Sequence, residues 1–194
     1  LRALIAASRL KGPPDCGHLG YLLGPRINAG GRIGEATLGA RLLTATEPAE
    51  AEHIAAQLEL LNEERRTIER AAVDEATAEA EAEIGAGEGP PLLVVSRAEW
   101  HPGVVGLVAA RLRERFGRPA FAIAWNGGEM GSGSGRSVPG VDIGAAVRQA
   151  VAMGLLVKGG GHAMAAGITL SRDRLGDFRV FIEKRLEAEI RAAA

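Results

Sequence analysis

The spacing of hydrophobic and polar positions changes period along the chain, and the change marks its organisation. Residues 1–10 alternate apolar and small residues at helical spacing until Gly12-Pro13-Pro14-Asp15 breaks the pattern. Residues 22–34 are so rich in turn formers that an irregular loop is expected, one that displays Arg26, Asn28 and Arg32. A short helix is predicted over Ala36–Leu43. Thr46 is the expected cap of the next helix, with Glu47 and Glu50 in its first turn and Pro48 where the missing N–H costs little. The helical pattern then runs to about Ile84, roughly 57 Å at 1.5 Å per residue. Its apolar stripe, Ile54, Leu58, Leu61 and Ile68, is too short for several heptads, so a solvated helix joining two domains is favoured over a coiled-coil arm.

Gly85-Ala86-Gly87-Glu88-Gly89-Pro90-Pro91 stops that helix, and beyond it strands and helices alternate. Strands are predicted over Leu92–Val95, Ala120–Trp125, Glu129–Arg136 and Ala163–Leu170, with a hairpin turn at Asn126-Gly127. Helices are predicted over Val104–Phe116, Ile143–Met153 and Leu175–Ile190. The fold class is therefore α/β, a long connecting helix followed by a compact mixed-sheet domain of about a hundred residues.

Composition narrows the function classes. With 194 residues and 46% hydrophobic content the chain can build a substantial core, and a soluble globular protein is expected. The formal net charge of -1 provides no global basic field, so nucleic-acid binding requires a local patch. Acidic residues crowd 47–88, whereas Arg97, Arg111, Arg136, Lys158 and His162 fall in the glycine-rich second half, which reads as the binding half. The single cysteine, Cys16, excludes an internal disulfide and a cysteine-built zinc site, in keeping with a reducing cytoplasm. No apolar run is long enough for a membrane helix, and no signal peptide is evident.

Two glycine-rich runs carry the candidate chemistry. Lys158-Gly159-Gly160-Gly161-His162 has the composition of a phosphate cradle, three residues that let an anion approach backbone N–H groups between two basic side chains. Gly131-Ser132-Gly133-Ser134-Gly135-Arg136-Ser137 adds hydroxyl donors and a guanidinium fork suited to bidentate phosphate contact. The alternatives are a passive glycine-serine loop and a tight helix–strand crossing. His101 either donates to a phosphate or braces a turn; its neighbour Trp100 either stacks a base or plugs the sheet. His18, His53, His101 and His162 are widely separated, and no motif supplies a metal site or a nucleophile with its base.

In this order and spacing, Gly24-Pro25-Arg26-Ile27-Asn28-Ala29-Gly30-Gly31-Arg32-Ile33, Trp100-His101-Pro102-Gly103-Val104-Val105-Gly106, Gly133-Ser134-Gly135-Arg136-Ser137 and Lys158-Gly159-Gly160-Gly161-His162-Ala163 resemble the RecJ-type single-stranded-DNA-specific exonucleases of the DHH phosphoesterase superfamily. Gly30 departs from the family, whose members usually carry alanine there. The resemblance implies a piece of a longer two-domain phosphoesterase, in which a metal-holding domain faces a DHHA1 domain across a cleft for one DNA strand. Residues 1–46 would be the end of the DHH domain, 47–88 the connecting helix and linker, and 89–194 the DHHA1-type substrate-binding domain. The family's Asp-His-His motif lies upstream, so no complete catalytic set, no metal ligand and no activity of this piece alone are expected; Mn2+ or Mg2+ would serve the full-length enzyme. A downstream OB-type domain, present in many relatives, is likewise not expected within this piece.

By the same resemblance, Ser134 and Arg136 would hold a terminal or backbone phosphate, His162 would contact the strand near the scissile phosphate, and Arg32 would line the cleft. Asn28, His101, Ser137, Gly160 and Gly161 complete the expected phosphate-binding set. The implied activity is 5′-to-3′ removal of nucleotides from single-stranded DNA during repair and recombination in the cytoplasm. A single-stranded-DNA-binding protein or a helicase is the implied partner in the full-length context. Open alternatives are an oligoribonuclease or cyclic-dinucleotide phosphodiesterase of the superfamily, and a non-catalytic module whose acidic helix pairs with another protein.

Overall fold

The computed structural model describes residues 1–125 and 127–193. They form two units, 1–68 and 69–194, and one helix, α4 (Pro48–Ile84), belongs partly to each. Its first main-chain bond runs from the Ala51 N–H to the Glu47 carbonyl, so Glu47 rather than Thr46 occupies the cap position.

In the first unit, α1 (Arg2–Ala7) and α3 (Leu38–Thr44) lie where helices are predicted. The stretch expected to be a loop is helical instead: a π-helical segment, His18–Leu23, runs directly into α2 (Gly24–Ile33). Three glycines at about 1 kcal/mol each oppose that helix. Packing outweighs them. Arg26 is buried and forms a two-pronged ion pair with Glu59 of α4, and it also donates to the Leu22 carbonyl at 2.7 Å. Two glycines let the backbone close up, since a Cβ on Gly30 would come within 2.8 Å of the Glu35 carbonyl and one on Gly39 within 2.8 Å of Ile27. Leu4, Leu23, Leu42, Ile54 and Leu58 fill the centre of this unit.

The second unit is a five-stranded sheet in the order β1-β2-β3-β5-β4. The strands are β1 (Leu93–Arg97), β2 (Ala120–Ala124), β3 (Met130–Arg136), β4 (Lys158–His162) and β5 (Ala165–Ser171). Only β1 and β2 are parallel, joined by α5 (Val105–Phe116), which is capped by Gly117 in the left-handed region. All other neighbours are antiparallel. Of the expected turn Asn126-Gly127, Asn126 lies outside the described residues, and Gly127 has a φ of 71°. The strand β4 has no counterpart among the predicted elements: three glycines disguise it.

One face of the sheet packs on α6 (Ile143–Ala152) and α7 (Leu175–Ala193). Phe121, Ile123, Ile168 and Leu170 meet Val147, Phe178 and Ile182 there, with Phe121 and Phe178 edge to face at 5.5 Å. On this face the glycines of β3 are obligatory. A Cβ on Gly131, Gly133 or Gly135 would lie 2.6 Å from Trp125, 2.8 Å from Ile123 or 2.5 Å from Phe121. The end of α4 is tied to β1 by Glu79 with Arg97 and to α7 by Glu83 with Arg179, while Trp100 is buried and donates its indole N–H to Glu75 at 2.7 Å. Among the described residues no helix is long and apolar enough to cross a membrane.

Two expected outcomes test this packing. Gly135→Ala should cost about 1–3 kcal/mol of unfolding free energy, measured by urea titration, because the added methyl has no space. Burial pushes the carboxyls of Glu79 and Glu183 up, against the pull of Arg97 and Arg179 on the first and of Arg179 on the second. Their folded pKa values exceed the unfolded ones, so the stability they contribute is full below the ordinary glutamate value and is lost as pH rises through the raised values. Glu183→Gln should therefore raise the melting temperature at pH 7, by on the order of 1–3 °C, and leave it unchanged near pH 4.

Candidate functional site

The antiparallel register of β3, β5 and β4 sets three rows of side chains across the face opposite α6 and α7. One row is Ser132, Thr169, Lys158; the next is Ser134, Gly167, Gly160; the third is Arg136, Ala165, His162. Residues opposed in register share a face, neighbouring strands lie about 4.8 Å apart, and successive rows are about 6.8 Å apart. No Asp or Glu stands in any row. Lys158 and His162 are exposed, and α5 covers only the β2 and β3 side, where the Cβ position of its Gly106 is 3.0 Å from the Arg136 guanidinium and 3.3 Å from the Ser134 hydroxyl.

Arg136 is held in place before any ligand arrives. It donates to the Ser134 Oγ at 2.7 Å and to the Gly135 carbonyl at 2.8 Å. The turn after β4, which carries His162, is tied down from several directions. Ile143 N–H donates to the Ala163 carbonyl, Ser137 N–H to the Met164 carbonyl, and Arg148 of α6 to the Gly161 carbonyl, all within 3.0–3.2 Å. A fixed guanidinium beside a hydroxyl, with an imidazole in the same row on the far side of β5, is suited to gripping a phosphate.

Of the expected residues, Ser134, Arg136, Gly160 and His162 come together on this face. Gly161 does not: its missing side chain lies against the Ala165 carbonyl, 2.2 Å from a would-be Cβ, so the residue serves packing. Ser137 is buried and commits its hydroxyl to the Val141 carbonyl at 2.7 Å, closing the turn into α6. His101 braces its own loop, its Nδ1 accepting from the Gly103 N–H at 3.0 Å. The burial of Trp100 excludes base stacking on it. Asn28, exposed, and Arg32, half-buried, lie four residues apart on α2 in the first unit. The first glycine-rich run is the predicted strand β3 and the second is the unpredicted strand β4; the alternation Gly-Ser-Gly-Ser-Gly-Arg in β3 is the signal that would have found Ser132 and, through the register, Thr169 and Gly167.

Among the described residues no group of three or more His, Cys, Asp or Glu could hold a metal ion.

The comparisons with known proteins agree with one another. The chain is 41% identical over 164 residues to the single-stranded-DNA-specific exonuclease RecJ of Dickeya dadantii (strain 3937), a match that covers 83% of this chain and 28% of the relative. For the Escherichia coli (strain K12) protein of the same name the figures are 39% over 169 residues, 86% and 29%, so the chain spans little more than a quarter of these relatives. The crystal structure of RecJ in complex with Mn2+ from Thermus thermophilus superposes with a TM-score of 0.82 at 32% identity over 96% of this chain and 26% of that one, and the Mg2+ complex does likewise over 28% of that chain. Residues 89–188, just over half of the chain, match the model described as the DHHA1 domain, and on that match the chain belongs to the DHHA1 domain family.

Proposed function

We propose that this chain is the substrate-binding part of a single-stranded-DNA-specific exonuclease that acts from the 5′ end in repair and recombination in the cytoplasm. The observation that carries the reading is the register: it aligns Ser134, Arg136, Gly160 and His162 on one face of the sheet, in rows that hold no Asp or Glu. The names of the relatives support the same substrate. In this reading residues 89–194 bind the strand, 47–88 connect, and 1–46 belong with a catalytic domain that holds Mn2+ or Mg2+ for phosphodiester hydrolysis.

The residues of this chain bind and orient. Arg136, fixed by Ser134, neutralises a terminal or backbone phosphate, and His162 contacts the strand from the neighbouring edge. Asn28 and Arg32 of α2 belong to the same proposed phosphate-binding set. A single-stranded-DNA-binding protein or helicase supplies the strand in the full-length context. Oligoribonuclease and cyclic-dinucleotide readings are less favoured, because the relatives at 39–41% identity carry the exonuclease name.

Fluorescence anisotropy with single-stranded oligomers bearing a 5′-phosphate or a 5′-hydroxyl tests the proposal. Salt-sensitive binding with a preference for the phosphate is expected. Arg136→Ala should weaken it by about 1.5–3 kcal/mol, the range for a charge-assisted contact, and reduce the salt slope by about 0.7. Equal affinity of the Arg136→Ala and unsubstituted chains would remove the assignment.

A further inference from the structure

His162 ends β4, and β4 by itself is a poor place to hold a recognition group. The strand lies at the edge of the sheet, paired along one side only, and three of its five residues are glycines with no side chain to pack. What fixes His162 comes from outside the sheet. Four consecutive carbonyls run through its hairpin, those of Gly161, His162, Ala163 and Met164, and each is met by the segment that runs from Ser137 to Arg148. The Arg148 guanidinium donates to the Gly161 carbonyl at 3.0 Å. The Ile143 N–H donates to that of Ala163 at 3.2 Å, and the Ser137 N–H to that of Met164 at 3.0 Å. The His162 carbonyl lies so close against α6 that a Cβ on Gly144 would come within 2.7 Å of it.

The same segment begins beside Arg136. Ser137 directly follows it, is 1% exposed, and donates its hydroxyl to the Val141 carbonyl at 2.7 Å, which closes the turn. Asp142 then caps α6 by accepting from the Ala145 N–H at 2.9 Å. One short bracket therefore joins the strand end that carries Arg136 to the hairpin that carries His162, by a path separate from the ladder through β5. Resting on the proposed function, we infer that Ser137 and Arg148 are positioning residues: they set the separation of Arg136 and His162 so that both meet one phosphate-bearing strand. Both commit their polar atoms to main-chain carbonyls, and so they act on the strand through the imidazole rather than by touching it.

The test measures binding of a 5′-phosphorylated thymidine hexanucleotide to the 194-residue chain by anisotropy, with the melting temperature recorded for every variant. Arg148→Gln should weaken binding about fivefold, and Ser137→Ala should do the same at a temperature well below its melting. In a chain that already carries His162→Ala, neither substitution should change the affinity by more than about twofold, the mark of residues that act through the imidazole. The salt slope should be the same in Arg148→Gln as in the unsubstituted chain, whereas loss of a direct phosphate contact would lower it by about 0.7. No loss in Arg148→Gln, equal losses with and without His162, or a lowered salt slope would overturn the bracket while leaving the proposed function standing. If Ser137→Ala does not fold, the Arg148→Gln cycle decides alone. Absence of binding by the unsubstituted chain would overturn the proposed function and the bracket with it.

Discussion

The large side chains of β2 and its following residue occupy the space where the side chains of β3 would begin. Phe121, Ile123 and Trp125 reach so far over the neighbouring strand that Gly131, Gly133 and Gly135 can carry no Cβ. A slip of β3 by one residue would push Ser132, Ser134 and Arg136 into that ridge and turn the glycines to solvent. The register is thus enforced by volume, and the enforced register is what sends the hydroxyls and the guanidinium to the opposite face. The hydrophobic core and the polar face are two sides of one steric constraint.

A second constraint acts in the first unit. The segment around α2 is helical because Arg26 reaches Glu59 and because Gly30 and Gly39 allow close backbone approach, contacts between residues far apart in sequence. Local composition carries no trace of the ion pair, and this is why a glycine-rich stretch reads as a loop until the partner is seen. Tertiary contact overrides propensity here at a cost that a single buried pair and a packed core can offset.

Elsewhere the sequence was more legible. The long helix, its glycine stop and the alternation beyond it are local signals, and α4, β1, α5, β2, β3, α6, β5 and α7 lie within a few residues of where those signals put them. The strand β4 escaped because glycine has no period to display. Residue types suited to phosphate were readable as Arg136, Ser134 and His162, but their assembly depends on pairing between β3, β5 and β4, which composition does not encode. Ser137 and Gly161 share those types and do structural work, a difference visible only once burial is known. Trp100 followed the plainer of its two readings.

The rows of the open face join strands of unequal standing. β3 has a hydrogen-bonded neighbour on both sides, whereas β4 closes the sheet and is bonded along one side only. Edge segments with little side-chain packing open most readily, and hydrogen exchange reports such opening. Arg136 therefore sits within the sheet, and His162 on its edge strand, whose end is held instead by the bonds of Arg148 to the Gly161 carbonyl and of Ile143 to the Ala163 carbonyl. A ligand spanning both would meet a guanidinium held by main-chain pairing on both sides of its strand and an imidazole whose strand is paired on one side and braced by α6 on its end.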